Sequence, residues 1–184
     1  MSSTSLLFCW VGVVSSLIAA PAAIAQDQSA PPTLKSVLLE QLRATHDREE
    51  WFVPVKIAIE GLTPEQAAWK DESDNHSIVQ LVNHLIFWNQ QQLAKFKGEK
   101  PAAFSGDNKE TFADLNKATW EASVKQLDEV LSAGEKAIEE ADEAKLTKWY
   151  STIARISTHN AYHTGQIIYI RKMKGNWNPE KGVK

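Results

Sequence analysis

The spacing of hydrophobic residues is the feature that most constrains how this chain of 184 residues can fold. From Thr33 onward, apolar side chains recur every three or four positions, which is the period of an amphipathic α-helix. No segment shows the strict alternation of a half-buried β-strand. The pattern predicts four long helices, over residues 33–60, 77–97, 119–140 and 151–174.

Capping residues set the expected ends of these helices. A capping-box pattern begins at Ser77 and predicts the start of the second helix, and Gly98 predicts its end. Pro54 lies inside the first helix and is expected to kink or divide it, and Gly61 is expected to end it. A single further helical turn is expected after Thr63.

The connection over residues 99–117 is rich in Pro, Gly, Asp and Asn, which predicts one long link between the second and third helices. Four amphipathic helices that bury one face each predict an all-α four-helix bundle. Hydrophobic residues make up 43% and charged residues 23%, as is typical of a globular domain. The formal net charge of −3 argues against a general nucleic-acid or anionic-membrane surface, because both need a basic face.

The first 25 residues differ from the rest because they contain no Asp, Glu, Lys or Arg. An apolar run over residues 6–20, followed by Ala23-Ile24-Ala25, predicts a secretory signal peptide. The segment before that run also has no Lys or Arg, so an uncleaved membrane anchor is the alternative. The run is shorter than the roughly 20 residues that a spanning helix needs. We therefore expect a signal peptide over 1–25, a flexible leader over 26–32, a domain over 33–178, a periplasmic location, and no stable membrane insertion after cleavage.

Two histidines four residues apart, His159 and His163, are the most informative pair in the chain. Residues at this spacing project from one face of a helix, one turn apart, and can bind a single metal ion together. Ile156 and Ile170 share that face, which predicts that both imidazoles point into the bundle. Burying two imidazoles without partners is costly, and a shared metal ion would remove that cost.

The second predicted helix supplies a third inward histidine, His84, beside Leu81 and Leu85. Three histidines from two helices match the three protein ligands of a catalytic metal site, with one position open to water or substrate. We therefore predict a divalent transition metal, Zn²⁺, Ni²⁺ or Fe²⁺, held by His84, His159 and His163. Cleavage of the signal peptide would remove Cys9, the only cysteine, so no thiolate would compete. The alternative is three core histidines with hydrogen-bond partners and no metal.

Two known metal motifs do not match this sequence. A zincin helix needs Glu directly after its first His, and the residue here is Asn160. Di-iron carboxylate bundles need Glu three residues before His on two helices. The residues three before His159 and His163 are Ile156 and Asn160.

Three segments resemble the DinB-like superfamily of four-helix metalloproteins. They are LTPEQ at 62–66, SIVQLVNH at 77–84 and, most specific of the three, HNAYHTGQI at 159–167. The resemblance implies an up-down-down-up four-helix bundle, often dimeric, in which histidines matching His84, His159 and His163 bind the metal. Characterised relatives include S-transferases that use bacillithiol and a mycothiol-dependent maleylpyruvate isomerase. The resemblance thus makes a low-molecular-weight thiol a candidate cosubstrate.

His46 lies on the predicted inner stripe of the first helix and is a candidate catalytic residue. It could be a fourth metal ligand, a general base, or a buried histidine with hydrogen-bond partners. Glu49 is one turn on and could orient it.

Tyr162 and Gln166 flank His163 and are the other catalytic candidates. They could donate to a metal-bound ligand or orient a metal-binding histidine. Trp88, on the second helix, is expected to pack in the core, and the alternative is that it forms a wall of the pocket. The polar residues 89–92 beside it could line the mouth of the site or form a solvated face.

The residues and the resemblance favour one function and leave a second open. The first is a metal-dependent transferase or hydrolase that acts on a small electrophilic substrate, with the ion lowering the pKa of a water or thiol. The second is a non-catalytic envelope protein that binds metal or an apolar ligand under stress. An exchangeable coordination position would favour the enzyme. We expect a small-molecule substrate and no nucleic acid, and a homodimer is the candidate assembly.

Overall fold

The computed structural model describes residues 31–113 and 119–183, and one compact unit spans Pro32–Lys184. The predicted signal peptide over 1–25 and most of the predicted leader over 26–32 lie outside the described residues. In the part of the chain that is described, no helix combines the length and the apolar character needed to cross a membrane.

Regular structure within the described residues is helical, which confirms the all-α prediction. Four longer helices dominate: α1 packs against α5 and α6, and α4 packs against the same two helices. The up-down-down-up order of directions stays a prediction. The α-helices are α1 (Leu34–His46), α2 (Val55–Ile59), α3 (Pro64–Ala68), α4 (Ile78–Lys97), α5 (Trp120–Glu140) and α6 (Glu143–Met173), with 3-10 helices at Asn108–Phe112 and Pro179–Lys181.

The first predicted helix is divided in two. α1 ends at His46, residues 47–54 are not helical, and α2 begins directly after Pro54. Pro54 is extended, with φ −70° and ψ 159°. Proline has no N–H to continue a helix and disfavours helical backbone in the residue before it. The expected division at Pro54 is confirmed, and the break is wider than a kink.

The last predicted helix begins earlier than the sequence suggested. A start at residue 151 was wrong, because α6 begins at Glu143. Asp142 caps it, with its side chain accepting a hydrogen bond from the Lys145 N–H at 2.8 Å. The ends of α4 are as expected, with a capping box at Ser77 and a left-handed Gly98 at φ 79°.

Buried apolar residues form two clusters. One gathers residues of α2 to α6, including Leu85 and Ile167, and the other joins α1 to the distant ends of α4, α5 and α6, including Leu39 and Ile153. Between Ile153 and Ile167, α6 buries a run of polar side chains instead. The predicted metal ligands of α6 lie in this polar stretch.

A pair of buried side-chain amides joins α4 to α6 within this polar stretch. Asn89 Nδ2 donates to Asn160 Oδ1 at 2.9 Å and to the Leu85 carbonyl at 2.8 Å, and Asn160 Nδ2 donates to Asn89 Oδ1 at 3.3 Å. Asn160 is only 1% exposed. Because buried amides must find partners, these bonds fix the register of α4 against α6. Asn160 directly follows His159, so the same register positions the histidines.

The amide pair predicts a specific stability pattern. Asn160→Ala should lower the free energy of unfolding by about 1–3 kcal/mol, because it leaves the Asn89 amide buried with one partner fewer. Replacing both amides by Leu should cost less than the sum of the two single changes, since no polar atom is then stranded. Urea denaturation measures both effects. The control is Gln90→Ala, an exposed change on α4. An Asn160→Ala effect as small as that of the control would contradict the assignment.

Candidate metal centre

Three histidine rings meet between α4 and α6. The Nε2 atom of His159 lies 3.0 Å from Nε2 of His84 and 3.1 Å from Nε2 of His163. One ring nitrogen from each histidine lies within 4.8 Å of the others. His84 and His163 are buried, and His159 is partly exposed. The structure therefore brings together the three residues that the sequence predicted as metal ligands.

A neighbouring hydroxyl fixes the tautomer of His84. The Thr111 hydroxyl donates to the Asn108 carbonyl at 2.6 Å, so its proton is already used. Its oxygen lies 2.5 Å from Nδ1 of His84 and must accept a hydrogen bond from that nitrogen. With the proton on Nδ1, the Nε2 atom of neutral His84 presents a lone pair to the other two histidines.

A side-chain amide does the same for His163. Gln166 Oε1 accepts from Nδ1 of His163 at 2.6 Å, and Gln166 Nε2 donates to the Tyr162 hydroxyl at 3.4 Å. These two contacts agree on the orientation of the amide. Nε2 of His163 is therefore also left as a lone pair directed at His159.

The arrangement leaves one contact unsatisfied without a cation. Nε2 of His159 faces two lone pairs and carries at most one proton, so it can donate to His84 or to His163 but not to both. A divalent ion accepts all three lone pairs. Metal–nitrogen distances of about 2.0–2.1 Å place two ligand nitrogens of a tetrahedral ion roughly 3.4 Å apart. The observed separations are close to this value, so the donor set fits a transition metal.

Burial keeps the three imidazoles neutral. Burial, together with the smaller repulsion from His163, His159 and His76 in their charged forms, lowers the pKa of His84 to about 3. Burial and His163 lower the pKa of His159 to about 4. The pKa of His163 is lowered as well, mainly by burial. Neutral imidazole is the form that binds metals.

The connection after α4 covers the outer face of His84. Phe112 stacks on the His84 ring with centroids 4.0 Å apart, and His76 stacks on the other face of Phe112 at 3.6 Å. Thr111 and Phe112 belong to the 3-10 helix Asn108–Phe112. Sequence reasoning missed both as parts of the site, because the connection has no periodicity that marks an inward face.

A pocket of about 670 Å³ opens beside the three histidines. Trp88 is half-buried and lines it, which matches the pocket-wall alternative rather than the favoured core packing. The polar residues 89–92 have different surroundings. Asn89 and Gln92 line the pocket, whereas Gln91 is buried and donates to the Ala102 carbonyl at 2.9 Å. The pocket is lined by His84, Trp88, Asn89, Gln92, Asn108, Phe112, Thr152, Arg155, Ile156, His159, Tyr162 and His163.

The other two predicted catalytic candidates, Tyr162 and Gln166, differ in whether they line the pocket. Tyr162 is 63% exposed and lines the pocket, with its ring packed edge-on against His163. Gln166 does not line it and instead orients His163. A catalytic role for either residue stays a prediction.

His46 lies in a different cluster. Its Nδ1 lies 2.7 Å from a Glu135 carboxylate oxygen and its Nε2 lies 3.1 Å from an Asp128 oxygen. The carboxylates that orient it are therefore on α5, and Glu49, expected from the sequence, is exposed beyond the end of α1. His46 is not among the donors that converge with the three histidines. These contacts match the buried, hydrogen-bonded alternative.

Both ring nitrogens of His46 face carboxylates, so the ring donates twice and is held as an imidazolium. Burial lowers the pKa of His46, but the hydrogen bonds with Glu135 and Asp128 outweigh burial, and the net pKa is raised. Lys56, and also His46, lower the pKa of Asp128 in return. Arg43 and Asp47 complete the charged surroundings, on α1 and just beyond it.

Comparison with known proteins identifies a family. A family model for the DinB superfamily matches residues 55–167, which is more than half of the chain and includes all three histidines. No curated protein and no solved structure matches the chain.

The His46 contacts predict a titration that depends on one carboxylate. The pKa of His46, followed by NMR, should lie above 6.5, and Glu135→Gln should lower it. Because the folded pKa is raised, the stabilising contribution of His46 is complete below pH 6.5 and is lost as the pH rises through the folded pKa. Glu129→Gln is the control, since Glu129 is on the same helix and pairs with Lys125. An unchanged His46 pKa in Glu135→Gln would refute this account.

Proposed function

The chain belongs to the DinB superfamily, and from this membership and the three converging histidines we propose that it binds a divalent transition metal and acts as a metal-dependent transferase or hydrolase. The proposed ligands are His84, His159 and His163. The proposed substrate is a small electrophile, and a low-molecular-weight thiol is the candidate cosubstrate.

One observation carries the proposal. Nε2 of His159 lies within 3.1 Å of the Nε2 atoms of both other histidines, while Thr111 and Gln166 hold the protons of those two rings on Nδ1. Two fixed lone pairs aimed at a third nitrogen make a poor hydrogen-bond network and a good ligand set. The hydrogen bonds on Nδ1 also orient metal-binding histidines, and they raise the basicity of the coordinating nitrogen.

The chemistry supplied by such an ion is Lewis acidity, which lowers the pKa of a bound water or thiol and polarises a substrate. The protein contributes position and environment. α4 and α6 hold the imidazoles at fixed separations, and burial keeps them neutral and ready to bind. Phe112 shields one face of His84 from water.

An open coordination position supports catalysis over storage. Two groups of three donors within the described residues could hold an ion, and His46, Asp47 and Glu135 form the other one; no fourth His, Asp, Glu or Cys of the described residues joins the three-histidine group. The pocket begins at the same three rings and is large enough for a small molecule. A closed site with His46 as the fourth ligand was the arrangement expected of a non-catalytic protein, and His46 is engaged with Glu135 and Asp128 instead.

We also propose that the protein acts in the periplasm. Support comes from the sequence of residues 1–25, where an apolar run precedes a small-residue cleavage pattern.

Metal content tests the proposed site directly. The purified protein should retain about one transition-metal ion per chain by elemental analysis, and the triple variant His84→Ala, His159→Ala, His163→Ala should retain none. His76→Ala is the matched control, because it removes a nearby imidazole that is not among the converging donors. No metal in the natural protein after reconstitution, or full metal content in the triple variant, would refute the proposal.

The contacts on Nδ1 predict a graded effect on affinity. Thr111→Val keeps the shape of the side chain but removes the acceptor for His84, and it should weaken metal binding about 10- to 100-fold. Competition with a chromogenic chelator measures the change. Thr158→Val is the control, since the exposed Thr158 hydroxyl donates to the Ala154 carbonyl, one turn earlier in α6. Equal affinities of the two variants would show that Thr111 does not support the site.

A further inference from the structure

The charged residues that line the pocket beside the histidines differ in sign from the net charge of the whole chain. The chain as a whole carries 23 acidic and 20 basic residues, Lys and Arg combined. Among the described residues that line the pocket there is no Asp or Glu, and Arg155 is the one Lys or Arg. The described lining of the proposed reaction site is therefore free of carboxylates although the protein is acidic overall.

Arg155 lies on the same face of α6 as the histidines. It precedes His159 by four residues, which places it one turn away, about 6 Å along the helix axis. Its side chain is exposed and makes no ion pair or hydrogen bond with the described part of the chain. A guanidinium that lines a pocket without a protein partner is available to a ligand.

The proposed metal site adds to this positive charge. Three neutral imidazoles bring no negative charge, so a divalent ion held by them keeps its full charge. Arg155 adds another positive charge one helical turn away. Because no described residue that lines the pocket is a carboxylate, this field favours an anion. The aromatic side chains of Trp88, Phe112 and Tyr162 provide apolar walls for the remainder of a small molecule.

We propose that Arg155 binds the carboxylate of a small organic acid whose other end reaches the three-histidine cluster. The part of this inference that concerns the metal ion rests on the proposed function, whereas the part that concerns Arg155 rests on the residues that line the pocket. A guanidinium pairs with a carboxylate through two parallel hydrogen bonds. Within the described ranges 31–113 and 119–183, the residues that line the pocket include no lysine to add the second cation that a doubly charged phosphate would favour. Arg155 is therefore a specificity-determining residue, which selects acids over neutral analogues.

A pair of probes with the same metal-binding group tests the proposal. The protein is loaded with Co²⁺ and titrated with 3-mercaptopropionate or with its neutral analogue 3-mercaptopropionamide, and thiolate binding is followed by visible absorption. The natural protein should bind the acid about tenfold or more tightly than the amide. Arg155→Gln should keep its Co²⁺ and lose this preference.

A matched control separates the local effect from the loss of one positive charge. Arg48→Gln makes the same change at an exposed residue between α1 and α2 that does not line the pocket. It should retain the preference for the acid. Equal affinities for acid and amide in the natural protein, or an unchanged preference in Arg155→Gln, would overturn the proposal.

A titration of the metal-free protein distinguishes failure of this inference from failure of the proposed function. Butyrate should shift the NMR resonance of the Arg155 side-chain Nε–H, assigned by its absence in Arg155→Gln. If the protein takes up no metal but this resonance shifts, the metal-dependent function fails and the carboxylate site stands. If the resonance does not move at saturating butyrate, the carboxylate site is refuted whatever the metal content.

Discussion

The register between α4 and α6 is the constraint on which the rest of the site depends. The two buried amides, Asn89 and Asn160, hold it through mutual hydrogen bonds, and a shift by one residue would strand both. His84 and His159 lie close to this pair along their helices. The Nε2 atoms therefore converge because α4 and α6 pack through two apolar clusters, with the buried polar side chains of α6 between them. The pocket and the position of Arg155 follow from the same alignment.

Local chemistry made much of the fold predictable. The ends of α4 follow from a capping box and a glycine in left-handed backbone, and both signals lie within a few residues of the positions they determine. The start of α6 was missed although Leu146, Trp149 and Ile153 continue its apolar stripe at helical spacing, because only two residues separate α5 from α6 and Asp142 is the one capping signal between them. The length of the break between α1 and α2 was also not predictable, because Pro54 fixes where α2 begins but not where α1 ends.

The residues of the candidate site were also predictable only where the signal in the sequence was local. His159 and His163 could be identified because helical spacing and inward facing are both encoded locally, and His84 followed from its own helix face. Thr111, Phe112 and Arg155 were not identified. The first two come to His84 from a connection without periodic pattern, 27 residues away for Thr111. In the sequence Arg155 looks like an ordinary surface residue, and its position matters only because it lines a pocket whose other described lining residues include no carboxylate.

The three histidines differ in how much of the fold must form before each of them is in place to bind an ion. His159 and His163 belong to one uninterrupted helix of 31 residues, so their spacing exists as soon as that helix forms. His84 is 75 residues away in the chain and reaches them only when α4 has docked. Formation of α6 alone therefore creates a two-point ligand, whereas the third ligand requires tertiary structure. An ion captured by the α6 pair during folding would favour the docking of α4, since the last coordinate bond forms only in the packed protein.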